Sequence, residues 1–369
     1  MQLLSILLLT ITYVPILISL SFMPYLTRKT VSFGITVSED NYNSDPLRHM
    51  RKKYASISLL IYTALLILCV YFVYTTKNTG DQAQSTIIGV SLVLMIAISI
   101  MMNLLFHFRM KKLSPSLPSN TEQKSVLAID TSFRKQRLIV SNKWFIIHAV
   151  VILIGAVLVL INYDRIPDTI AMKIDLQGNV THSAAKSYYT VLFPTIMQIV
   201  MTLLFIFINW SIQKSKQQID ANHPERSINQ NLTFRRRWSI FTVMSGLAIV
   251  IVSFFIQLNM ISPINSDVMI FVSMSFPAFI VLFAVILSFT TGQGGSRIGR
   301  SSSSDAQPIR DDKHWKLGSI YYNPQDPSIF IEKRIGIGWT INFGHPAGVL
   351  ILAGTIALIA ALSFFTGMD

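Results

Sequence analysis

The stretch TIIGVSLVLMIAISIMMNLLF, residues 86–106, decides the fold. It contains no Asp, Glu, Lys or Arg, and Arg109, Lys111 and Lys112 follow it at once. An α-helix rises 1.5 Å per residue, so about 20 apolar residues cross a hydrocarbon layer about 30 Å thick. Seven more uncharged apolar blocks of comparable length occupy residues 3–25, 57–74, 144–161, 189–212, 239–258, 268–289 and 347–365. The 369 residues are 51% hydrophobic and only 13% charged, with a mean hydropathy of +0.50. Soluble domains carry about 25% charged residues. That contrast excludes a soluble enzyme, a disordered chain and a fibre. The sequence predicts an all-α polytopic membrane protein with eight transmembrane helices.

Charge sets the orientation. Cytoplasmic loops carry the excess of Lys and Arg, and here the loops alternate between rich and poor. Of the 31 basic residues, 27 fall in the loops 26–56, 107–143, 213–238 and 290–346, and four fall in the others. A missed or invented span would scramble this alternation. It predicts four cytoplasmic loops, both termini outside and a location in the cell membrane. The net charge of +13 lies beside the spans, where it meets anionic lipid headgroups rather than nucleic acid. The first block lacks a basic n-region and a small-residue cleavage site, so it reads as a retained span. Cys69 is the single cysteine, which leaves no intramolecular disulfide and no cysteine cluster for a metal.

The expected units are a three-helix region (1–110), a cytoplasmic loop (111–143), a helix-loop-helix unit (144–212) with an exterior loop (162–187), and helices six and seven with their loop (213–289). A flexible linker (290–310), a small cytoplasmic β-rich segment (311–346) and a last helix (347–369) complete the chain. Residues 30–37 are a short β-prone run, and a basic helical stretch over 46–54 leads into the second span. The linker rests on the Gly- and Ser-rich composition of 291–306. Its glycines do not make a phosphate loop, because no strand precedes them and no Lys-Ser/Thr closes them. In 311–346 the apolar runs 319–322, 328–333 and 339–343 predict three strands of a small meander. An Asn323-Pro324-Gln-Asp326-Pro327 turn and Gly338 separate them.

The exterior loop holds Asp164, Arg165, Asp168, Lys173, Asp175 and Lys186, candidate contacts for an extracellular peptide or a lipid headgroup. Alternation at Ile170, Met172, Ile174 and Leu176 predicts an extended strand, and Gln177-Gly178-Asn179 a turn. The pattern Ile-Pro167-Asp-x-Ile170, then Gly178, then Lys186 before a span containing Pro194 resembles an uncharacterised bacterial membrane domain. That domain is best known as the N-terminal half of SdpI-type immunity and signalling proteins. Ala171 stands where the family has a second proline, and Lys173 where it has a histidine. The resemblance covers residues 144–212 and implies protection against, or sensing of, a secreted toxin. Residues 315–342 resemble a C-terminal domain of unknown function that often accompanies it. Its signature here is Trp315-Lys-x-Gly318, Tyr-Asn323-Pro324-x-Asp326-Pro and Gly-Trp339-Thr-x-Asn.

Chemistry is hard to find in this sequence. The seven histidines are scattered, with no pair spaced three or four apart. The spans hold no paired acids and no Ser-His or Ser-Lys pair on which a protease could be built. Ion-coupled transport normally leaves a charge in the bilayer, whereas the polar groups here are Asn103, Gln198, Asn209, Gln257 and hydroxyls. Arg235-Arg236-Arg237 reads as a topology anchor. The sequence therefore predicts a non-enzymatic integral membrane protein that senses, or gives immunity to, an extracellular peptide or envelope stress, with no cofactor and no metal. A small-molecule or lipid transporter is the alternative. The β-rich segment reads as a cytoplasmic cap for the helix bundle, with docking of a lipid headgroup or a cytoplasmic protein partner as the competing reading.

Overall fold

The helices bury their polar residues and expose their apolar ones. Gln198, Asn209, Ser239 and Gln257 are buried, whereas Leu60, Ile100, Leu153, Leu203 and Phe279 are exposed. In water this arrangement would leave a large apolar surface uncovered; in a bilayer the apolar surface faces lipid. The computed structural model describes residues 2–76, 81–117, 138–174, 180–219, 223–299 and 311–367. Among them, six helices are long and apolar enough to cross a membrane. The chain is a multi-pass membrane protein in a lipid bilayer.

Among the described residues ten α-helices follow in chain order: α1 (Gln2–Ser21), α2 (Met23–Leu26), α3 (Glu39–Tyr42), α4 (Asp45–Thr75), α5 (Asp81–Leu113), α6 (Ile146–Ile161), α7 (Tyr188–Lys214), α8 (Pro224–Ile261), α9 (Ser266–Thr291) and α10 (Pro346–Gly367). The six long apolar ones are α4 to α9; α1 and α10 include shorter apolar stretches, Leu9–Ser21 and Pro346–Ala361. The helices α1, α4 and α5 pack around Tyr13, Leu17, Tyr62, Leu66, Cys69 and Met95. A second group, α6, α7 and α8, packs along its own seams, and α9 touches both groups through α1 and α8. Helix starts follow local chemistry. Asp45 and Pro46 occupy the first turn of α4, and the Ser187 hydroxyl caps α7 by accepting from the Thr190 amide.

Among the described residues eight short strands form four antiparallel pairs: β1 (Val31–Ser32) with β2 (Ile35–Thr36), β3 (Thr169–Ile174) with β4 (Val180–Ala185), β5 (Trp315–Lys316) with β6 (Ile320–Tyr321), and β7 (Phe330–Glu332) with β8 (Trp339–Ile341). The predicted three-strand meander is corrected here. Its three strands exist as β6, β7 and β8, but β5 precedes them and the segment is two hairpins. A single parallel bridge, Tyr321 to Asn342, links the hairpins. The first turn of this segment carries two residues in the left-handed region, Leu317 (φ 52°) and Gly318 (φ 73°). Strands of two or three residues gain little from their ladders, so side chains hold the segment together. Asn342 does most of this. Its amide donates to the Asn323 and Asp326 carbonyls, and its oxygen accepts from the Asn323 and Gly344 amides.

The linker reading is also corrected in part. Gly292 to Gly299 is an ordered turn in which buried Gln293 donates to the Gly338 carbonyl and accepts from its amide. Residues 300–310 lie outside the described residues, as does most of the 111–143 loop. The described end of that loop is tied in, since the Val140 amide donates to Ser239.

Candidate functional site

Two ends of the bundle carry the candidate residues. At one end, β3 and β4 form a hairpin over the tips of α6, α7 and α8. Ile170 faces down onto Val159, Ile166, Val191 and Met260. The pairing shifts register on both sides of Lys173, which lies opposite His182; such bulges bend and twist a ladder. The second strand, β4, was not foreseen, because Val180–Ala185 contains small and polar residues and no apolar alternation.

The predicted contact residues separate into two kinds. Asp164, Arg165 and Asp168 are exposed, as is Pro167. Lys186 is mostly buried, and its ammonium is committed. It donates to the Ile166 carbonyl at 2.8 Å, lies 3.6 Å from Asp168 and sits 5.1 Å from the Tyr163 ring centroid. Tyr163 in turn stacks on Tyr188 at 4.5 Å. Lys186 thus fastens the 163–168 turn to the root of the hairpin. Lys173 is a β3 residue, Asp175 and Gly178 fall outside the described residues, and Pro194 is buried inside α7.

At the opposite end the basic loops converge on the 311–345 segment, and their ion pairs are largely buried. Glu332, 1% exposed, pairs with Arg28 and accepts from Asn231 at 2.7 Å. Asn231 accepts from the Arg235 Nε at 2.6 Å, and the remaining Arg235 nitrogens donate to the carbonyls of Ile212, Ser215 and Lys216. Arg235 is fully buried. Because α8 starts at Pro224, residues 231, 235 and 239 lie one turn apart on the face turned toward α7. Arg236 and Arg237, by contrast, are exposed.

A second cluster joins Arg334 to Asp311 and Asp312, to the Gly34 carbonyl and to the Thr36 hydroxyl, which itself donates to Asp312. A third joins Lys216 and Asp326 at 2.6 Å, with the Tyr321 hydroxyl donating to the same oxygen at 2.9 Å. Burial alone would push the Asp326 carboxyl up. The bonds from Lys216, Ser328 and Tyr321 outweigh it and hold the carboxyl below its ordinary range. Burial pushes the Tyr321 hydroxyl up to about 12.

The motif residues of this segment have structural roles. The Asn323 oxygen accepts from the Gln325 amide and the Asp326 oxygen from the Ser328 amide, two side-chain turns around Pro324 and Pro327. Trp315 packs on Tyr321 and Ile331 and bonds Asp311, while Trp339 packs against Phe234 of α8. Gly318 meets Gly34 backbone to backbone and would, with a Cβ, come within 2.5 Å of the His107 Nδ1. That nitrogen is bonded to the Phe33 carbonyl at 2.8 Å.

Between the two ends, buried polar side chains follow one face of α7. Gln257 of α8 donates to Thr195, Gln198 donates to the Val250 carbonyl, and Asn209 donates to Asn142 and accepts from Ser239. The Gln198 and Gln257 amide oxygens and the Thr202 hydroxyl are buried without a partner among the described residues. Among the described residues no three His, Cys, Asp or Glu side chains gather as they would for a metal.

No curated protein and no solved structure matches the chain. Two parts of it match family models. Residues 324–349, containing β7, β8 and the start of α10, are similar to a family of unknown function (DUF5808). Residues 150–198, containing most of α6, the hairpin and the start of α7, are similar to a domain of unknown function (DUF1648).

Proposed function

We propose that this is a non-enzymatic membrane protein that senses, or gives immunity to, an extracellular peptide or envelope stress through the hairpin at the tips of α6, α7 and α8. In this reading α1 and α10 are the seventh and eighth spans, both termini are outside the cell membrane, and the basic loops are cytoplasmic. The observation that carries it is the division of labour around the hairpin. Lys186 is committed to holding the turn, which leaves Asp164, Arg165 and Asp168 presented outward on a braced platform. A two-stranded element with free outer edges also offers backbone groups for an extended peptide to pair with. The resemblance to SdpI-type immunity proteins supplies the kind of ligand, a secreted membrane-active peptide.

The test is survival of a sensitive bacterium expressing the protein and challenged with membrane-active peptides. Wild type is compared with Asp168→Ala and Arg165→Ala at matched membrane levels. Protection that both substitutions abolish supports the proposal. Protection that neither changes moves the recognition surface away from the hairpin turn.

The polar file on α7 favours a second reading, passage of a small polar solute between the two faces. Unpartnered amide oxygens in a low-dielectric interior are costly unless water or a solute meets them. Solute flux in proteoliposomes that Gln198→Leu and Gln257→Leu each abolish would put this reading first.

A further inference from the structure

Where the basic loops converge, one guanidinium keeps two buried nitrogens without an acceptor. Arg51 in the first turns of α4 is 4% exposed, and its Nε and Nη1 are buried without a hydrogen-bond acceptor. Its guanidinium carbon sits over the Tyr42 ring, 3.7 Å from the centroid, and 5.9 Å from the centroid of Tyr25. Those ring faces answer part of the charge but give the N–H groups no oxygen. The ionisable groups acting on Arg51 are Tyr42, Tyr25 and Arg48, none of them a carboxylate. Every other deeply buried guanidinium at this end has found oxygens: Arg334 has two carboxylates, and Arg235 has Asn231 and three carbonyls.

A second cation stands beside it. Arg297, just after α9, donates to the Phe289 and Tyr25 carbonyls, and so reaches the residue whose ring centroid lies 5.9 Å from the Arg51 guanidinium. Neither the Tyr42 nor the Tyr25 hydroxyl has a hydrogen-bond partner among the described residues. Two guanidiniums and two tyrosines therefore converge from two stretches of chain, 25–51 and the turn after α9, with no carboxylate among them, beside the ends of apolar helices.

We propose that Arg51, Arg297, Tyr25 and Tyr42 form a binding site for a phosphate-bearing anion, the chemistry shared by a phospholipid headgroup and by free phosphate. The guanidinium fork matches two phosphate oxygens. The close contact with Tyr42 holds the fork in place before the ligand arrives, and Arg297 supplies the second positive charge that a phosphate favours.

The test uses the purified full chain in an uncharged detergent. Three probes are titrated: short-chain phosphatidylglycerol, inorganic phosphate and a phosphate-free glycolipid. The readouts are the rise in unfolding temperature and the dissociation constant. Wild type is expected to respond to a phosphate-bearing probe and not to the glycolipid. Arg51→Gln and Arg297→Gln are each expected to weaken that binding at least tenfold, while Lys53→Gln, an exposed charge loss on the same helix, leaves it unchanged. Stabilisation by the lipid alone assigns the site to a headgroup; stabilisation by inorganic phosphate as well assigns it to free phosphate. Should Arg51→Gln fail to fold, Arg51→Lys and Arg297→Gln decide. Equal affinity in all folded variants overturns the site. So does an equal loss in Lys53→Gln, which would mean attraction by net charge alone, and so does the absence of any response to either phosphate-bearing probe.

Discussion

The two ends of the helix bundle handle charge in opposite ways. At the hairpin end Asp164, Arg165 and Asp168 stand in solvent, and Lys186 is drawn in by one carbonyl and one ring. At the other end Glu332, Arg235 and Arg334 are buried and joined through side chains from four separate stretches of chain. Exposed ion pairs contribute about 0–1 kcal/mol. Breaking a buried pair costs far more, because the abandoned charge cannot return to water. One end is thus built to hold its shape, and the other to present groups.

The sharpest way to break this comparison is Glu332→Ala. It strands Arg28 and Asn231 and removes the anchor of Arg235, so a loss of about 3–5 kcal/mol is expected. Thermal unfolding in detergent reads it, and a shift no larger than that of a surface variant would refute the description of this end as locked.

Next comes Gly318→Ala, with an expected cost of about 1–3 kcal/mol. The new methyl meets His107 and separates Gly318 from Gly34, so proteolysis within 311–345 should quicken as the cap lifts. Unchanged proteolysis would show that the close approach of the two glycines is not required.

Asp326→Asn is expected to cost about 1–3 kcal/mol at neutral pH. Its folded-state carboxyl ionises below the ordinary value of about 3.9. The stabilisation it gives is therefore present above that value and is lost as pH falls through the folded value. Between pH 6 and pH 3 the wild-type unfolding temperature should fall more steeply than that of Asp326→Asn. Parallel curves would mean that Asp326 is not a source of the acid sensitivity.

The smallest effects belong to the hairpin. Lys186→Met should cost about 1 kcal/mol through the lost bond to Ile166, and Asp168→Ala should leave the unfolding temperature unchanged. A large destabilisation by Asp168→Ala would erase the contrast between the two ends.

The match to the domain of unknown function falls within the 144–212 unit, and the match at 324–349 overlaps the 315–342 signature. Those stretches were legible because their turn residues, Pro167 in one and Asn323, Pro324 and Asp326 in the other, dictate local backbone with little help from the rest of the chain. Strand β4 was not legible, because its partner defines it. Arg235 was not either: three consecutive arginines look alike in sequence, and only the phase of α8 turns one inward while leaving the other two outside. Gly292 to Gly299 has the composition of a linker, yet the Gln293 side chain and the loop it meets make it a buried turn.

By itself the sequence determined that this is a membrane protein, where its apolar helices run and which loops are basic. These follow from the cost of placing a charge or an unpaired peptide group in hydrocarbon, a property of each segment alone. Tertiary structure alone decided which charges are buried, which carboxylates meet which guanidiniums, and which guanidinium keeps two nitrogens without an acceptor. Those outcomes depend on residues as distant as Arg28 and Glu332 arriving at the same place, and no local preference of either residue encodes that meeting.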